Sequence, residues 1–311
     1  MLGWNLVMAK GTRSLGRQFG LSDLLDELKR DDSLSDPDRF QERSKALDRL
    51  DGYDLDSQRP EVDLGENGGA LHVRATALRT ELEAINSRLY EGIRDAIRRG
   101  DGRDALLRWA PASKNNAVLR RHESIHDGDT YDDLDDLVSG ILQFAPPDSA
   151  TIELSPEMVA YQPTPARHIL ELIRHSEIAD HDVFFDLGSG LGHVPLLVAI
   201  CTKSGVVGID IELAYVECAR RCARQLNLAN ATFVTQDARD ADLSEGTIFY
   251  LYTPFRGAIL RAVLDRLRGE ANKREIRVCT FGPCTPIVAA ESWLSLDAAE
   301  SSEISVFRSR R

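Results

Sequence analysis

The chain has 311 residues, 42% of them hydrophobic and 28% charged, and a formal net charge of −12. That length exceeds a typical single domain, and the composition is that of a folded globular protein rather than a disordered or fibrous one. The negative surplus opposes a phosphate backbone and makes nucleic acid a poor partner, while no apolar run approaches the roughly 20 residues that a bilayer span requires.

Leu21 to Lys29 reads as a short amphipathic helix, and Asp31 to Gly69 follows, rich in Asp, Gly, Ser and Pro and poor in large apolar residues. That composition predicts loop over 31–69. From Ala75 on, Leu78, Leu82, Ile85, Leu89, Ile93 and Ile97 recur at three- and four-residue steps, one face of a long helix that stops near Gly100 and Gly102. Arg103 to Trp109 and Tyr131 to Phe144 add two more helices. Residues 1–150 therefore read as an acidic, mainly helical accessory region. Its acidic run Asp127 to Asp136 lacks the sixth-position glycine and twelfth-position carboxylate of a calcium loop, and reads as a solvated helix start.

After Pro146 and Pro147 the pattern changes to short β-branched and aromatic runs separated by helix-length segments. Val183–Leu187, Val206–Ile211, Ala231–Thr235, Ile248–Tyr252 and Ile276–Phe281 read as five strands of a parallel, doubly wound sheet. Trp293–Leu296 and Ile304–Phe307 read as a closing antiparallel pair, giving an α/β domain over 151–311 with a seven-stranded, Rossmann-like sheet. The five cysteines are odd in number, confined to the last third, and lack a Cys-x-x-Cys pair, so they read as reduced thiols with no metal site. With no secretory start at Met1, the expected location is cytoplasmic.

The most informative stretch is Asp186-Leu-Gly188-Ser189-Gly190-Leu-Gly192, placed where the first buried strand meets an apolar helix. Glycines at such a turn let backbone approach a ligand closely and present N–H groups at a helix start. The third glycine arrives one residue early for a dinucleotide fingerprint, which disfavours a nicotinamide cofactor. An acid opening the loop suits a ligand with a cationic end and no phosphate, and S-adenosylmethionine has that shape and charge. Asp210, closing the second strand, can accept both ribose hydroxyls, with Glu212 the fallback. After the third strand, Asp237 offers a carboxylate for the adenine amino group and Ala238 a backbone N–H for a ring nitrogen.

This order of motifs resembles the class I S-adenosylmethionine-dependent methyltransferases over roughly residues 155–311. Asp186 to Gly192 is similar to the loop of the non-SET histone-lysine methyltransferases, and Tyr161-Gln-Pro163-Thr-Pro165 to bacterial methyltransferases of unassigned substrate. The resemblance implies that the glycine loop, Asp210 and Asp237 hold the cofactor, and that the acceptor sits near the end of the fourth strand, at Tyr252-Thr253-Pro254-Phe255. Amine-modifying relatives carry Asn, Asp or Ser followed by Pro-Pro-aromatic there; this chain has Thr253 and one proline. Tyr252 and Thr253 are the catalytic candidates, against packing for the first and a plain turn for the second. Tyr161, with its prolines, is either a stiff lid over the methionine end or a simple helix start. His193 reads as capping or surface.

The acceptor is left open between a small molecule and a protein side chain. Acidity favours a basic protein segment or a cationic metabolite, and the lysine-modifying likeness makes lysine one option. The competing reading is a non-catalytic cofactor-binding scaffold acting through the helical front region. No oligomeric state is indicated.

Overall fold

A computed structural model describes residues 20–56, 68–110, 131–145, 154–297 and 303–310. These fall into two compact units, one reaching Gly92 and including Tyr131–Ile141, the other holding the described residues from Ile93 to Ala110 and from Leu142 onward.

In the first unit lie α1 (Leu21–Arg30), α2 (Phe40–Asp56) and most of α3 (Gly68–Arg98), with nearly all of α5 (Asp133–Leu142). Leu24, Leu25 and Leu28 of α1, Ala46 and Leu50 of α2, and Ala75, Leu78 and Leu82 of α3 form its apolar cluster. The α2 helix corrects the expectation of loop across 31–69, since residues 40–56 are helical and Asp32–Ser35 make a 3₁₀ turn. The misreading has a physical cause. The buried stripe of α2 includes Arg43 and Ser44 beside Phe40, Ala46 and Leu50, so the inward face is not an apolar face. Arg43 is fully buried and donates from Nε to Asn86 Oδ1 at 2.7 Å, from Nη2 to Pro37 O at 3.0 Å, and also to Asp36 O, which satisfies the guanidinium where apolar packing was expected. The acidic run seen in the sequence lies outside the described residues up to Thr130, and its remainder opens α5, where Asp135 Oδ2 accepts from Asp132 N at 2.8 Å.

The second unit is built on a seven-stranded sheet in the order β3-β2-β1-β4-β5-β7-β6. The strands are β1 (Val183–Leu187), β2 (Gly205–Asp210), β3 (Ala231–Thr235), β4 (Ile248–Leu251), β5 (Arg277–Thr280), β6 (Leu294–Leu296) and β7 (Ser305–Ser309). The first five pair in parallel; β7 inserts antiparallel between β5 and β6. Chain order reverses between β1 and β4, the switch point beside which open α/β sheets offer a ligand crevice.

Alternation along the strands decides what faces the crevice. Phe185, Leu187, Ile209, Phe249 and Leu251 pack with Ile259, Leu260, Val263 and Leu264 of α9 (Gly257–Ala271) on one face. Phe184, Asp186, Gly208 and Tyr250 therefore point to the other face, which is covered by α6 (Ala166–His175), α7 (His193–Cys201) and α8 (Leu213–Gln225). The remaining helices are α4 (Gly102–Leu107) and α10 (Thr285–Ala289). No described helix is long and apolar enough to cross a membrane.

Candidate active site

β1 runs straight into the glycine loop, and the loop folds back on the tip of β2. The amides of Gly188 and Ser189 both donate to Ile209 O, at 2.8 and 2.9 Å. Gly190 N donates to Asp210 Oδ2 at 2.7 Å, and Asp210 Oδ1 accepts from Glu212 N at 2.9 Å. Asp210 thus braces the loop with the same carboxylate that the sequence assigns to ribose hydroxyls, each oxygen keeping a further lone pair. Glu212 is buried, with its side chain accepting from Ala214 N at 3.2 Å as the N-cap of α8.

Glycine is required at two loop positions. At Gly188, φ is +96° and a Cβ would fall within the ring of Pro254; at Gly190, φ is +52° and a Cβ would fall within the ring of Tyr161. Opposite Asp186 in register on β2, Gly208 leaves room that a Cβ would close, 2.7 Å from the Phe233 ring and 3.0 Å from Ser189 Oγ.

Asp186 is 3% exposed, and among the described residues no hydrogen bond reaches its carboxylate. Burial first, then the charge of Asp210, raises its pKa well above the ordinary carboxylate range. The Asp210 pKa is raised too, chiefly by burial and against the pull of the Glu212 and Gly190 amides. Ser189 Oγ is likewise buried and lacks a hydrogen-bond partner among the described residues. The unbonded Asp186 carboxylate and the orphaned Ser189 hydroxyl are costly alone and are relieved by a ligand that brings a cationic end and polar groups. The residues present therefore fit the adenosyl sulfonium group.

Other sequence candidates fare differently. Asp237 is held in a bidentate pair by Arg239, at 3.0 Å to Oδ1 and 2.7 Å to Oδ2, and also accepts from Arg239 N. Ala238 is buried in the core beneath α9. Thr253 is corrected: at φ +40° and 6% exposure, its hydroxyl donates to Phe281 O at 3.3 Å and accepts from Cys284 N at 3.0 Å. The hydroxyl is spent on closing the β4 turn onto the segment after β5. Tyr252 is half-buried, with its ring 4.6 Å from that of Phe281. His193, expected to cap or lie at the surface, is largely buried; its Nδ1 lies 2.9 Å from Tyr161 Oη, and burial drives its pKa down to about 4. Sequence spacing gives no sign of that pairing, because the two residues meet only through the fold. Among the described residues no group of His, Cys, Asp and Glu gathers as a metal site.

A segment ahead of α6 closes the crevice. Val159 N donates to Pro254 O at 3.1 Å, Met158 bridges to Phe255, and Glu157 caps α9 by accepting from Ala258 N at 3.0 Å and Ile259 N at 3.2 Å. Thr164 Oγ1 lies 3.2 Å from the buried Tyr250 hydroxyl, next in register to Asp186. These anchors carry Tyr161 onto the glycine loop.

Residues 178–253 match a family model described as a methyltransferase domain, a span that holds β1 to β4 and the glycine loop. This stretch is a methyltransferase domain. The methyltransferase domain is also similar to parts of solved structures. An RNA methyltransferase from Salinibacter ruber in complex with S-adenosyl-L-homocysteine is 24% identical, with 47% of this chain and 92% of that chain covered at a TM-score of 0.37. A putative methyltransferase, yhhF, from Escherichia coli is 19% identical, covering 50% and 90% at 0.40. Precorrin-6y C5,15-methyltransferase from Geobacter metallireducens is 14% identical, covering 52% and 94% at 0.36. Among curated proteins no sequence matches the chain.

Proposed function

We propose that this methyltransferase holds S-adenosylmethionine on Asp186, the loop Gly188 to Gly192, Asp210 and Glu212, and passes its methyl group to an acceptor admitted beside Tyr252. The observation that carries the assignment is the buried Asp186 carboxylate, which no described residue hydrogen-bonds, next to the orphaned Ser189 hydroxyl. The cofactor supplies a methyl group on a sulfonium, activated without help from the protein. The chain's task is alignment and exclusion of water. Asp186 receives the cationic amino end; Asp210, already fixed by two amides, and Glu212 receive hydroxyls. Asp237 becomes available to an adenine amino group when the exposed Arg239 side chain gives up its bidentate pair. Tyr161 and its anchored segment shut the crevice from above, and Tyr252 with Phe281 forms an aromatic wall on the acceptor side.

The net charge of −12 favours a cationic acceptor, either a small molecule or a basic segment of a protein, and the five free cysteines support a reducing, cytoplasmic setting. Calorimetric titration with S-adenosylmethionine and its demethylated product tests the site. Transfer of tritiated methyl into lysate, split into small-molecule and protein fractions, then identifies the acceptor class. Binding with no label in either fraction would overturn catalysis in favour of a cofactor-binding scaffold.

A further inference from the structure

The ring of Tyr161 fills the space above Gly190 and lies 5.2 Å, centroid to centroid, from Tyr215. Tyr215 in turn faces the carboxylates of Glu212 and Asp210, whose charges add to burial in raising its phenol pKa. The Tyr161 ring is therefore wedged between the glycine loop and the ribose side of the cradle. Its main chain is already fixed, on one side by the bond of Val159 to Pro254 and on the other by Pro163 and Pro165. What the main chain leaves unset is the rotation of the side chain, and the phenol hydroxyl is a point at which it is held.

That hydroxyl meets His193 Nδ1 at 2.9 Å. A neutral imidazole protonated at Nε2 leaves Nδ1 as an acceptor, so the tyrosine O–H donates. The imidazole is itself held: it is the first residue of α7, and Phe144 lies against it with centroids 4.6 Å apart. Its role is not capping, since Gly192 occupies the N-cap position and no side chain caps α7.

We propose that His193 is a positioning residue that locks the Tyr161 ring over Gly190 and thereby sets how tightly the cradle holds the adenosyl group. This rests on the cofactor assignment above. The cofactor would touch Tyr161, and His193 would act only through it.

The test is a double-mutant cycle on the full chain, read as the Kd for S-adenosylhomocysteine by calorimetry, with ligand-free melting of each variant. Tyr161→Phe removes one oxygen and keeps the ring; His193→Leu and His193→Phe remove the acceptor, and whichever folds completes the cycle. Each single change should weaken binding about fivefold, and the double variant should be no weaker than either single, because one bond is lost in all three. His193→Asn, which places an amide oxygen at the same reach as Nδ1, should restore binding to within about twofold of wild type. Multiplying losses in the double variant, no rescue by asparagine, or singles that bind like wild type would each overturn the pairing while leaving the cofactor site intact. Wild-type chain that does not bind the nucleoside at all would overturn both.

Discussion

Gly190 shows how much a single hydrogen atom can carry at this site. Its positive φ is costly for a β-branched residue, and a Cβ there would fall within the ring of Tyr161. Gly190→Val should therefore expel that ring and reduce S-adenosylhomocysteine affinity by at least a hundredfold, whereas the same change at Gly269 on α9, where an added Cβ would meet nothing within 4 Å, should leave affinity as it is. Calorimetry on both variants checks this. Asp186 makes a different trade. Its folded pKa is raised, so its ionisation opposes folding: stability falls as pH climbs from the ordinary carboxylate value through the raised one, and recovers on acidification. Asp186→Asn should then raise the ligand-free Tm at neutral pH, flatten the gain in Tm on mild acidification, and cost about tenfold or more in S-adenosylmethionine affinity. A variant that neither melts later nor binds worse would remove Asp186 from the site. The turn between β1 and α7 was legible in the sequence because its glycines sit where a buried apolar strand meets an apolar helix. His193 and Thr253 were not, because burial and the partner of a side chain are decided by residues 28 to 32 positions away.

At the scale of elements, the segment before α6 acts as a clasp. Glu157 reaches across 101 positions to cap the first turn of α9, replacing the side-chain cap that Arg256 does not provide. Glu157→Ala should lower Tm by about 2–4 °C, the shift that about 1 kcal/mol produces in a unit of this size. It should also weaken nucleoside binding by loosening the path to Tyr161, with Glu157→Gln intermediate because one amide oxygen remains. Loss of Tm without any change in binding would show that the clasp serves α9 alone. The strands were readable to within about two residues at each end, since the central ones, β1 and β4, are short apolar runs buried on both faces and the others are bounded by turn residues. The α2 helix was unreadable for the opposite reason. A buried arginine satisfied by carbonyls looks, in sequence, like a solvated one.

Across the whole sheet, the two ends of the strands carry carboxylates in opposite electrostatic states. At the carboxyl ends, the Asp186 carboxylate has no hydrogen bond among the described residues, and Asp210 holds only backbone amides. Below the amino end of β1, Asp182 is saturated: Arg277 Nη2 lies 2.6 Å from Oδ2, Thr247 Oγ1 donates to Oδ1 at 2.7 Å, and Ala179 N donates at 2.8 Å. These partners hold its pKa below the usual value despite burial, so its contribution is present above the unfolded carboxylate pKa and disappears only as pH falls through the lower folded one. The ion pair is nearly enclosed, with side-chain exposures of 11% and 5%, and it ties β5 and the loop entering β4 to β1. Arg277→Met removes the positive partner and strands the carboxylate, a loss of about 3–5 kcal/mol for a buried pair broken on one side. Urea denaturation of the ligand-free chain at pH 7 should register that loss. The same variant lies at the far end of the sheet from the glycine loop, so the fraction that remains folded should bind S-adenosylhomocysteine with wild-type Kd. A Kd that shifts along with stability would mean that the binding end is not mechanically separate from the end that holds the sheet together.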